Sequence, residues 1–498
     1  MDQSSITPNT SNQQLVINGD NDSATALLHE KQSRRRDDLS DVTFKEYMTV
    51  GILCFVNLIN YMDRFTLAGV LDDVKKEFGI GDDKAGLLQT VFVIAYMVFA
   101  PIFGYLGDRY SRRLIMAFGV ALWSITTFAG SYIQSYYSFA IFRGMVGIGE
   151  ASYSTIAPTI ISDLFVGNVR SKMLAFFYFA IPVGSGFGYI VGSVVGGAAN
   201  NWRWGLRVTP FLGAVAVALI LWAMENPERG QAEESRMKPT SYTEDLRSLV
   251  RNPSFMLSTL AFTCVAFVTG ALAWWGPQFI FLGLTLQPGV NITQESVSYK
   301  FGLVGMAAGA LGVPLGSALA QRLRARMPDC DPVICGLALL ASAPLVFFAL
   351  ASVRSGGLAY FLVFLGMLTC NLTWSIVADI VLYVVIPPRR STAEAFQILI
   401  SHMFGDAGSP YLVGVISESL KRSSSSIEPP SQLVQFRSLQ YALFVTCFVE
   451  VIGGIFFLLT AIYIVKDKLK VDRAIAEAEA QSAEPSHSNA PEEQLGPE

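Results

Sequence analysis

The chain has 498 residues, of which 52% are hydrophobic and 15% are charged. Soluble domains carry about 25% charged residues, so this composition excludes an ordinary soluble enzyme. A net charge of −4 excludes a general attraction to nucleic acid. With three histidines and no CxxC pair among six cysteines, we expect neither a metal site nor a cofactor.

Polar segments bound and divide the chain. Residues 1–45 are rich in Asn, Ser and Gln and lack the short apolar core of a cleavable signal peptide, so we expect a disordered N-terminus. Residues 225–253 form the longest internal polar stretch and are expected to be a linker. Residues 466–498, which end in Ala, Glu, Ser and Pro, are expected to be a disordered tail.

Between these segments lie about twelve apolar runs, each close to the roughly 20 residues that a helix needs to cross a bilayer. The linker divides them six and six, into the halves 46–224 and 254–465. The sequence therefore predicts an all-α membrane protein with two six-helix halves. The predicted spans are 46–70, 85–106, 114–132, 136–162, 171–198, 207–224, 255–283, 299–320, 333–352, 357–385, 393–417 and 435–465.

Basic residues collect after every second predicted helix, as at Arg109 and Arg170. Since basic loops stay in the cytosol, both termini are predicted to be cytosolic. The sequon that begins at Asn291 then lies in a non-cytosolic loop, and we predict that it is glycosylated. The sequon that begins at Asn371 falls inside the tenth predicted helix and is expected to stay unmodified.

The second predicted helix ends in the string GYLGDRYSRR. Its glycine allows close helix packing, its aspartate can pair across the halves, and its arginines lie at the cytosolic surface. This pattern predicts a conformational latch, in which ion pairs hold one state and break in the other. The alternative is that the arginines only anchor the helix ends. The latch residues are Gly104, Asp108, Arg109, Arg112 and Arg113.

The first predicted helix contains Asn60, Tyr61, Asp63 and Arg64 within one apolar run. A charge inside a span costs about 2.5–3.5 kcal/mol unless it pairs or faces water. We therefore predict that these residues belong to a substrate or proton-coupling site. The alternative is that Asp63 and Arg64 lie near the non-cytosolic end and reach the interface.

The fourth predicted helix carries Arg143 and Glu150 seven residues apart, hence two turns apart and near the same face, with Ser154 one turn further on. A glutamate that is protonated or ionised according to its partner has the property that proton coupling requires. A static Arg143–Glu150 ion pair is the structural alternative.

The eleventh predicted helix places His402 and Asp406 four residues apart, on one helix face. Histidine titrates near pH 6.5, so this pair is a candidate pH sensor, and a satisfied polar contact without a switching role is the alternative.

Charges buried in a chain of two repeated halves predict a transporter with a cavity near the middle of the membrane. An intramembrane hydrolase would need a nucleophile elbow such as G-x-S-x-G, which the sequence lacks, so we expect no enzymatic activity. A receptor or scaffold with the same fold is a further alternative.

Several long strings resemble the Spinster family of the major facilitator superfamily. They lie at residues 60–71, 149–159, 177–186 and 383–394, and the match covers about 45–465. The resemblance implies a twelve-helix major facilitator fold and a transporter of lysophospholipids or related sphingolipids.

Within that family, one branch exports lysophospholipids from lysosomes on a proton gradient, and another exports sphingosine-1-phosphate at the cell surface. Residues 252–255, 262–270 and 391–397 favour the lysosomal branch. The resemblance thus implies a monomer in the late endosomal or lysosomal membrane that takes a lysolipid and protons. The alternative is a sphingolipid exporter of the plasma membrane or endosome without strict proton coupling.

The charged residues of the family fall on Asp63, Arg64, Arg143 and Glu150. The resemblance implies that Arg64 or Arg143 holds a phosphate-bearing headgroup, which guanidinium binds in a bidentate manner. It also implies that Asp63 and Glu150 take up protons.

Overall fold

The computed structural model describes residues 42–165, 167–227, 242–386, 389–424 and 430–483, and every regular element in these ranges is helical. The N-terminal half contains α1 (Phe44–Gly69), α2 (Leu71–Phe78), α3 (Asp82–Arg109), α4 (Arg112–Gly130), α5 (Tyr136–Leu164), α6 (Gly167–Ala198) and α7 (Arg203–Trp222). The rest contains α8 (Tyr242–Val250), α9 (Pro253–Thr285), α10 (Gln294–Arg324), α11 (Cys330–Ala351), α12 (Gly356–Asn371), α13 (Thr373–Val384), α14 (Arg390–Ser401), a π-helical turn (His402–Asp406), α15 (Gly408–Ser424) and α16 (Gln432–Ala483).

Local chemistry sets where two of the crossing helices begin. At α1, Thr43 and Glu46 form a capping box, in which the Thr43 N–H donates to Glu46 Oε2 at 2.8 Å. At α9, the Asn252 side chain accepts a hydrogen bond from the Phe255 N–H at 3.1 Å, and Pro253 occupies a position that needs no donor. Each half therefore opens on a helix whose start is specified by its own sequence.

Nine helical spans in the described ranges are long and apolar enough to cross a membrane. Three more crossings, α1, α5 and the segment from α14 through α15, complete two sets of six. These three are the crossings that carry Asp63 and Arg64, Arg143 and Glu150, and the His402–Asp406 pair. Because buried polar groups are costly in a membrane, the least apolar crossings are the first place to look for a site.

The structure differs from the predicted segments at several points. The tenth predicted span is two helices that meet at Leu372, and the eleventh is interrupted by the π-helical turn. The predicted linker contains the short helix α8. The predicted disordered tail is wrong over residues 466–483, because α16 continues to Ala483. The expectations for residues 1–41, 228–241 and 484–498 lie outside the described residues.

The crossings alternate in direction, so the start of α1 and the end of α16 share one side, which we call the terminal face. The other side, the opposite face, carries α2 and the loops that follow α4, α6, α9, α11 and α15. Between the halves, α6 packs on α10, and α3 packs on α15. A Cβ on Gly86 would lie 2.3 Å from the Pro410 carbonyl oxygen, and one on Gly414 2.3 Å from that of Asp82. This close approach of α3 and α15 therefore requires glycine at both positions.

The apolar cores show where the halves join. One core combines both halves near the opposite face, with Leu67 and Trp202 from the first half and Trp274 and Phe436 from the second. A second core lies in the N-terminal half, with Ala407 as its only fully buried member from the other half. A third lies wholly in the C-terminal half. The halves thus meet near the opposite face and diverge toward the terminal face.

Candidate functional site

The first ion pair of the site joins α1 to α5. Arg64 Nη2 lies 3.1 Å from Glu150 Oε2, and both side chains are buried, at 8% and 0% exposure. The Asn60 amide, with its nitrogen turned toward the carboxylate, donates to Glu150 Oε1 at 3.0 Å and Oε2 at 2.5 Å. Glu150 is therefore held by two residues of α1 that the sequence placed in the same candidate site.

The second ion pair lies beside the first. Arg143 Nη1 is 3.8 Å from Asp63 Oδ2, and both side chains are buried. The Thr127 hydroxyl of α4 donates to Asp63 Oδ2 at 3.2 Å, and the Thr209 hydroxyl of α7 donates to Oδ1. Sequence patterns do not identify either threonine as a site residue. The hydroxyl of a threonine in an apolar helix usually bonds to the backbone of its own helix, so its presence predicts no partner on another helix.

Each of the two ion pairs joins a residue of α1 to a residue of α5. The sequence left open a static Arg143–Glu150 pair, but the ion pairs in the structure are Arg64 with Glu150 and Asp63 with Arg143. Asp63 and Arg64 are neighbours on α1 and point to partners two turns apart on α5. The four charges therefore form one cluster that binds α1 to α5.

Both arginines keep unused hydrogen-bond donors. Arg64 Nε, Arg143 Nε and Arg143 Nη2 are buried and have no hydrogen-bond partner among the described residues. The two guanidinium groups lie over the same aromatic ring, with their central carbons 4.9 Å and 5.1 Å from the centre of Phe92. Cation–π contact stabilises the positive charge but satisfies no N–H group. The cluster thus presents N–H groups that could donate hydrogen bonds to an anion.

A tyrosine links this cluster to the eleventh crossing. Arg64 also lies over the rings of Tyr61 and Tyr96, at 4.9 Å and 5.7 Å. The Tyr96 ring is 5.7 Å from the His402 ring, whose Nδ1 is 2.8 Å from Asp406 Oδ1. The structure therefore brings the residues predicted on α1, α5 and the π-helical turn together through Tyr96, an aromatic residue of an apolar helix that no sequence pattern distinguishes.

The π-helical turn places His402 and Asp406 at the boundary between the halves. The Thr90 hydroxyl of α3 donates to the carbonyl oxygen of Ala407 at 2.5 Å, directly after the turn. Such turns widen a helix locally and often accompany functional sites. Ser154, by contrast, uses its hydroxyl to donate to the Glu150 carbonyl oxygen at 3.0 Å, within its own helix.

The predicted latch is only partly described. Arg112 pairs with Asp163, which joins α4 to α5 within one half. Arg109 is exposed and lies 4.3 Å from the centre of the Tyr105 ring. The side chain of Asp108 lies outside the described residues. Arg113 is half-buried at the start of α4.

The packing role expected for Gly104 is wrong. A Cβ at Gly104 would meet nothing within 4 Å, whereas one at Gly107 would lie 3.0 Å from the Ile156 side chain. At this end of the two helices α3 therefore approaches α5 through Gly107, one turn further along; their closest approach is at Gly147, where a Cβ would lie 2.2 Å from the Phe92 carbonyl oxygen.

The second half carries a corresponding network at the terminal face. Arg324 Nη2 lies 2.7 Å from Asp379 Oδ2, and Arg324 Nε lies 2.9 Å from Asp331 Oδ2. The Tyr383 hydroxyl donates to Asp331 at 2.7 Å. Both halves thus tie adjacent crossings together with an arginine and an aspartate at this level.

At the opposite face, a buried ion network connects the two halves. Asp82, at the start of α3, pairs with Lys75 of the first half and with Lys421 of the second. The Ser417 hydroxyl donates to Asp82 at 2.7 Å, and Lys421 also lies 3.5 Å from Glu418. The sequence did not single out these residues, because charged groups near helix ends are common and their burial arises only from packing.

The two sequons lie in different surroundings. Asn291 is exposed in the loop between α9 and α10 at the opposite face, whereas Asn371 ends α12 in the interior of a crossing. The accessibility of Asn291 is what a glycosylation site requires, and its modification stays a prediction.

The comparisons with known proteins agree with this architecture. A family model described as Major Facilitator Superfamily matches residues 53–409. Protein spinster of Drosophila melanogaster is 58% identical over 490 residues, which cover 89% of this chain and 81% of that protein. Protein spinster homolog 1 of Homo sapiens is 52% identical and covers 84% of this chain and 81% of that protein.

Solved structures show the same fold. A bacterial homolog to the human lysosomal transporter Spinster, in an inward-facing and unoccupied conformation, aligns with a TM-score of 0.75 at 20% identity, over 85% of this chain and 98% of that one. A D-xylose-proton symporter aligns with a TM-score of 0.64 at 14% identity, over 82% and 97%.

The twelve crossings in two six-helix halves define a membrane transporter of the major facilitator class. The chain belongs to the Spinster family of that superfamily, so the resemblance found in its sequence is confirmed.

Proposed function

We propose that this protein is a proton-coupled secondary active transporter that exports lysophospholipids, or related sphingolipids, from lysosomes to the cytosol. The observation that carries the proposal is the pair of buried arginines, Arg64 and Arg143. They share the ring of Phe92, and each has N–H groups without a partner. A phosphate-bearing headgroup offers the acceptor oxygens that these donors lack.

The surroundings of the arginines suit an amphipathic substrate. Tyr61 and Tyr96 flank Arg64 with aromatic surface. The acyl chain would lie toward the terminal face, where the apolar cores of the two halves are separate. In alternating access, the site between the halves stays in place while the halves rock around it.

Proton coupling follows from the charge balance at Glu150. While Glu150 is ionised, it neutralises Arg64 at 3.1 Å. When Glu150 takes up a proton, Arg64 keeps an uncompensated positive charge in a buried site and attracts an anionic headgroup. Loss of the proton restores the ion pair and weakens the hold on the headgroup. Asp63 and Arg143 repeat this arrangement one layer away.

The proposed residence in the late endosomal or lysosomal membrane has two supports. The similar bacterial structure is described as a homolog of a human lysosomal transporter. The basic residues that follow every second crossing favour a cytosolic terminal face, and the opposite face would then be lumenal. A lumenal acidic pH would then load protons onto the site. The His402–Asp406 pair, which lies next to Tyr96, belongs to the same proposed site.

The test is lipid transport by the full chain in proteoliposomes, with and without an imposed pH gradient, with lysophosphatidylcholine and sphingosine-1-phosphate as substrates. We expect the gradient to stimulate transport of lysophosphatidylcholine by the unaltered protein, and Glu150→Gln to abolish that stimulation. Glu450→Gln is the matched control, because Glu450 is also fully buried but, among the described residues, its carboxylate accepts a hydrogen bond only from the Ser342 hydroxyl.

Two outcomes would contradict the proposal. If Glu150→Gln kept gradient-driven transport, Glu150 would have no part in coupling. If the unaltered protein moved sphingosine-1-phosphate equally well at every pH gradient, the uncoupled sphingolipid exporter would replace the present proposal.

A further inference from the structure

A second concave site lies at the terminal face of the C-terminal half, far along the chain from the arginines of α1 and α5. It is a cavity of about 440 Å³ between α8, residues 384–386 and 389 near the junction of α13 and α14, and residues 467–471 of α16. None of the proposed transport residues lines it. It therefore needs an explanation of its own.

The walls of this cavity are held by specific bonds. Arg389 Nε lies 2.8 Å from Asp245 Oδ1, and its Nη1 donates to the Ser248 hydroxyl at 2.8 Å, which fixes α8 to the start of α14. The Asn252 side chain donates to the Val384 carbonyl oxygen at 2.8 Å. The cavity walls formed by α8 and by the ends of α13 and α14 are thus fixed to each other by specific bonds.

The lining carries more positive than negative charge. Four basic side chains line the cavity, Arg247, Arg251, Arg389 and Lys470, against the carboxylates of Glu244 and Asp467.

Both of those carboxylates are already paired, Glu244 with Arg389 at 3.3 Å and Asp467 with Lys470 at 2.7 Å. Arg247 and Arg251 form no ion pair with any residue in the described part of the chain. The guanidinium groups of Arg247 and Arg251 are therefore available to bind an anion.

The cavity sits at the level where helices leave the membrane. Arg251 and Asn252 immediately precede α9, and Val384 ends α13. Val250, next to Arg251, is 57% exposed, so an exposed apolar side chain and an exposed arginine lie side by side just before the crossing helix α9 begins. Basic pockets at this level suit the charged headgroup of an acidic lipid, whose acyl chains remain in the bilayer.

We propose that this cavity binds a phosphorylated headgroup, with Arg247 and Arg251 as the principal ligands of the phosphate oxygens. Guanidinium groups bind phosphate in a bidentate manner, and the two side chains stand one turn apart at the end of α8. Occupation would join α8 to α16 and to Arg389, which directly precedes the helix that leads to His402. The site is separate from the transport site and does not depend on the function proposed for that site.

The test is a binding measurement on the purified full chain in detergent micelles. The probes are a dioctanoyl phosphatidylinositol bisphosphate, the soluble headgroup inositol trisphosphate, and inorganic phosphate. The variant Arg247→Gln/Arg251→Gln removes the two unpaired charges. The control Arg322→Gln/Arg326→Gln removes two exposed arginines from the same face, outside the cavity.

Each basic side chain near an acidic lipid contributes about a fivefold gain in affinity, so we expect the double variant to bind the lipid about 10- to 30-fold more weakly. The control should bind it as the unaltered protein does. If both pairs weakened binding equally, or if neither did, the cavity would not be the site, and the proposal would be overturned.

The probes separate the sources of the phosphate. Binding of the lipid and of inositol trisphosphate, both lost in the double variant, supports a headgroup site that lipids reach from the bilayer. Tighter binding of inositol trisphosphate than of the lipid supports the phosphate site but assigns it to a soluble ligand. Binding of none of the probes by the unaltered protein would overturn the proposal.

Discussion

The two halves of this transporter share a six-helix architecture but differ in the charged side chains that their crossing helices carry in the interior. In the first half, α1 and α5 hold four buried charges in two ion pairs. In the second, the corresponding helix α9 has no charged residue over 33 positions. Among the residues described there, Glu450 of α16 is the one charged side chain with 0% exposure, and its Oε1 accepts a hydrogen bond from Ser342 at 2.8 Å. The other buried charges of that half are paired: Asp245, Asp331, Lys421 and Asp467.

The halves are more alike at the membrane surface. Arg112 pairs with Asp163 in the first half, and Arg324 pairs with Asp331 and Asp379 in the second. A charge near the interface costs little, whereas a charge in the interior costs several kcal/mol unless it is paired. Surface networks can therefore persist in both halves, while interior charges remain only where they serve a purpose. The difference concentrates the expected substrate chemistry in the first half.

The largest effect is expected at the interior ion pair. Arg64→Gln leaves Glu150 buried without its cation, and we expect a loss of about 3–5 kcal/mol in the free energy of unfolding. Arg64→Gln/Glu150→Gln removes both charges and should recover much of that loss. Thermal and denaturant unfolding in micelles measures both variants. An equal loss in the single and double variants would mean that Arg64 stabilises the bundle by packing and not by pairing.

A smaller effect is expected where the halves meet at the opposite face. Lys421→Met removes the cross-half ion pair with Asp82, while Lys75 still neutralises that carboxylate. We expect the closed opposite face to lose about 1–2 kcal/mol, which shifts the population toward opening. Faster hydrogen exchange in peptides that cover residues 82–90 and 408–420 would show this shift toward the open state.

The matched control for that variant is Arg422→Met. Arg422 is 73% exposed and pairs with Glu418 at 3.8 Å, on the surface of the same helix. Surface pairs contribute little, so exchange in both peptides should stay unchanged. Similar exchange in the two variants would show that the buried network does not hold the opposite face closed.

The smallest effect is expected at Glu450. Since no cation of the described residues pairs with it, a neutral Gln of similar shape can still accept the Ser342 hydrogen bond. We expect Glu450→Gln to change the free energy of unfolding by less than about 1 kcal/mol. A loss as large as that of Arg64→Gln, measured in the same unfolding assay, would mean that the second half also depends on an ionised carboxylate.

Much of the fold follows from the sequence because a bilayer imposes strong constraints. Apolar runs of helix length, basic loops on alternate sides and the interruption at 225–253 predict two six-helix halves. The helix break at Leu372 was not predicted, because the sequence on both sides of it is apolar. The π-helical turn was not predicted, because His402 and Asp406 indicate a candidate site but not a change in the backbone hydrogen-bond pattern.

The candidate site was predicted in part for a related reason. Asp63, Arg64, Arg143 and Glu150 stand out because charge is rare and costly inside a span. Their partners do not stand out. Thr127, Thr209, Phe92 and Tyr96 are ordinary residues of apolar helices until packing brings them against the charges.

The sequence by itself determined that this chain is a many-spanning transporter of the Spinster family with charges in its first and fourth crossings. Only the tertiary structure decided that Asp63 pairs with Arg143 and Arg64 with Glu150, and that Asp82 and Lys421 join the halves. The physical reason is the range of the interactions. Hydropathy and charge are properties of single segments, whereas a partner is chosen by helices that meet from distant parts of the chain.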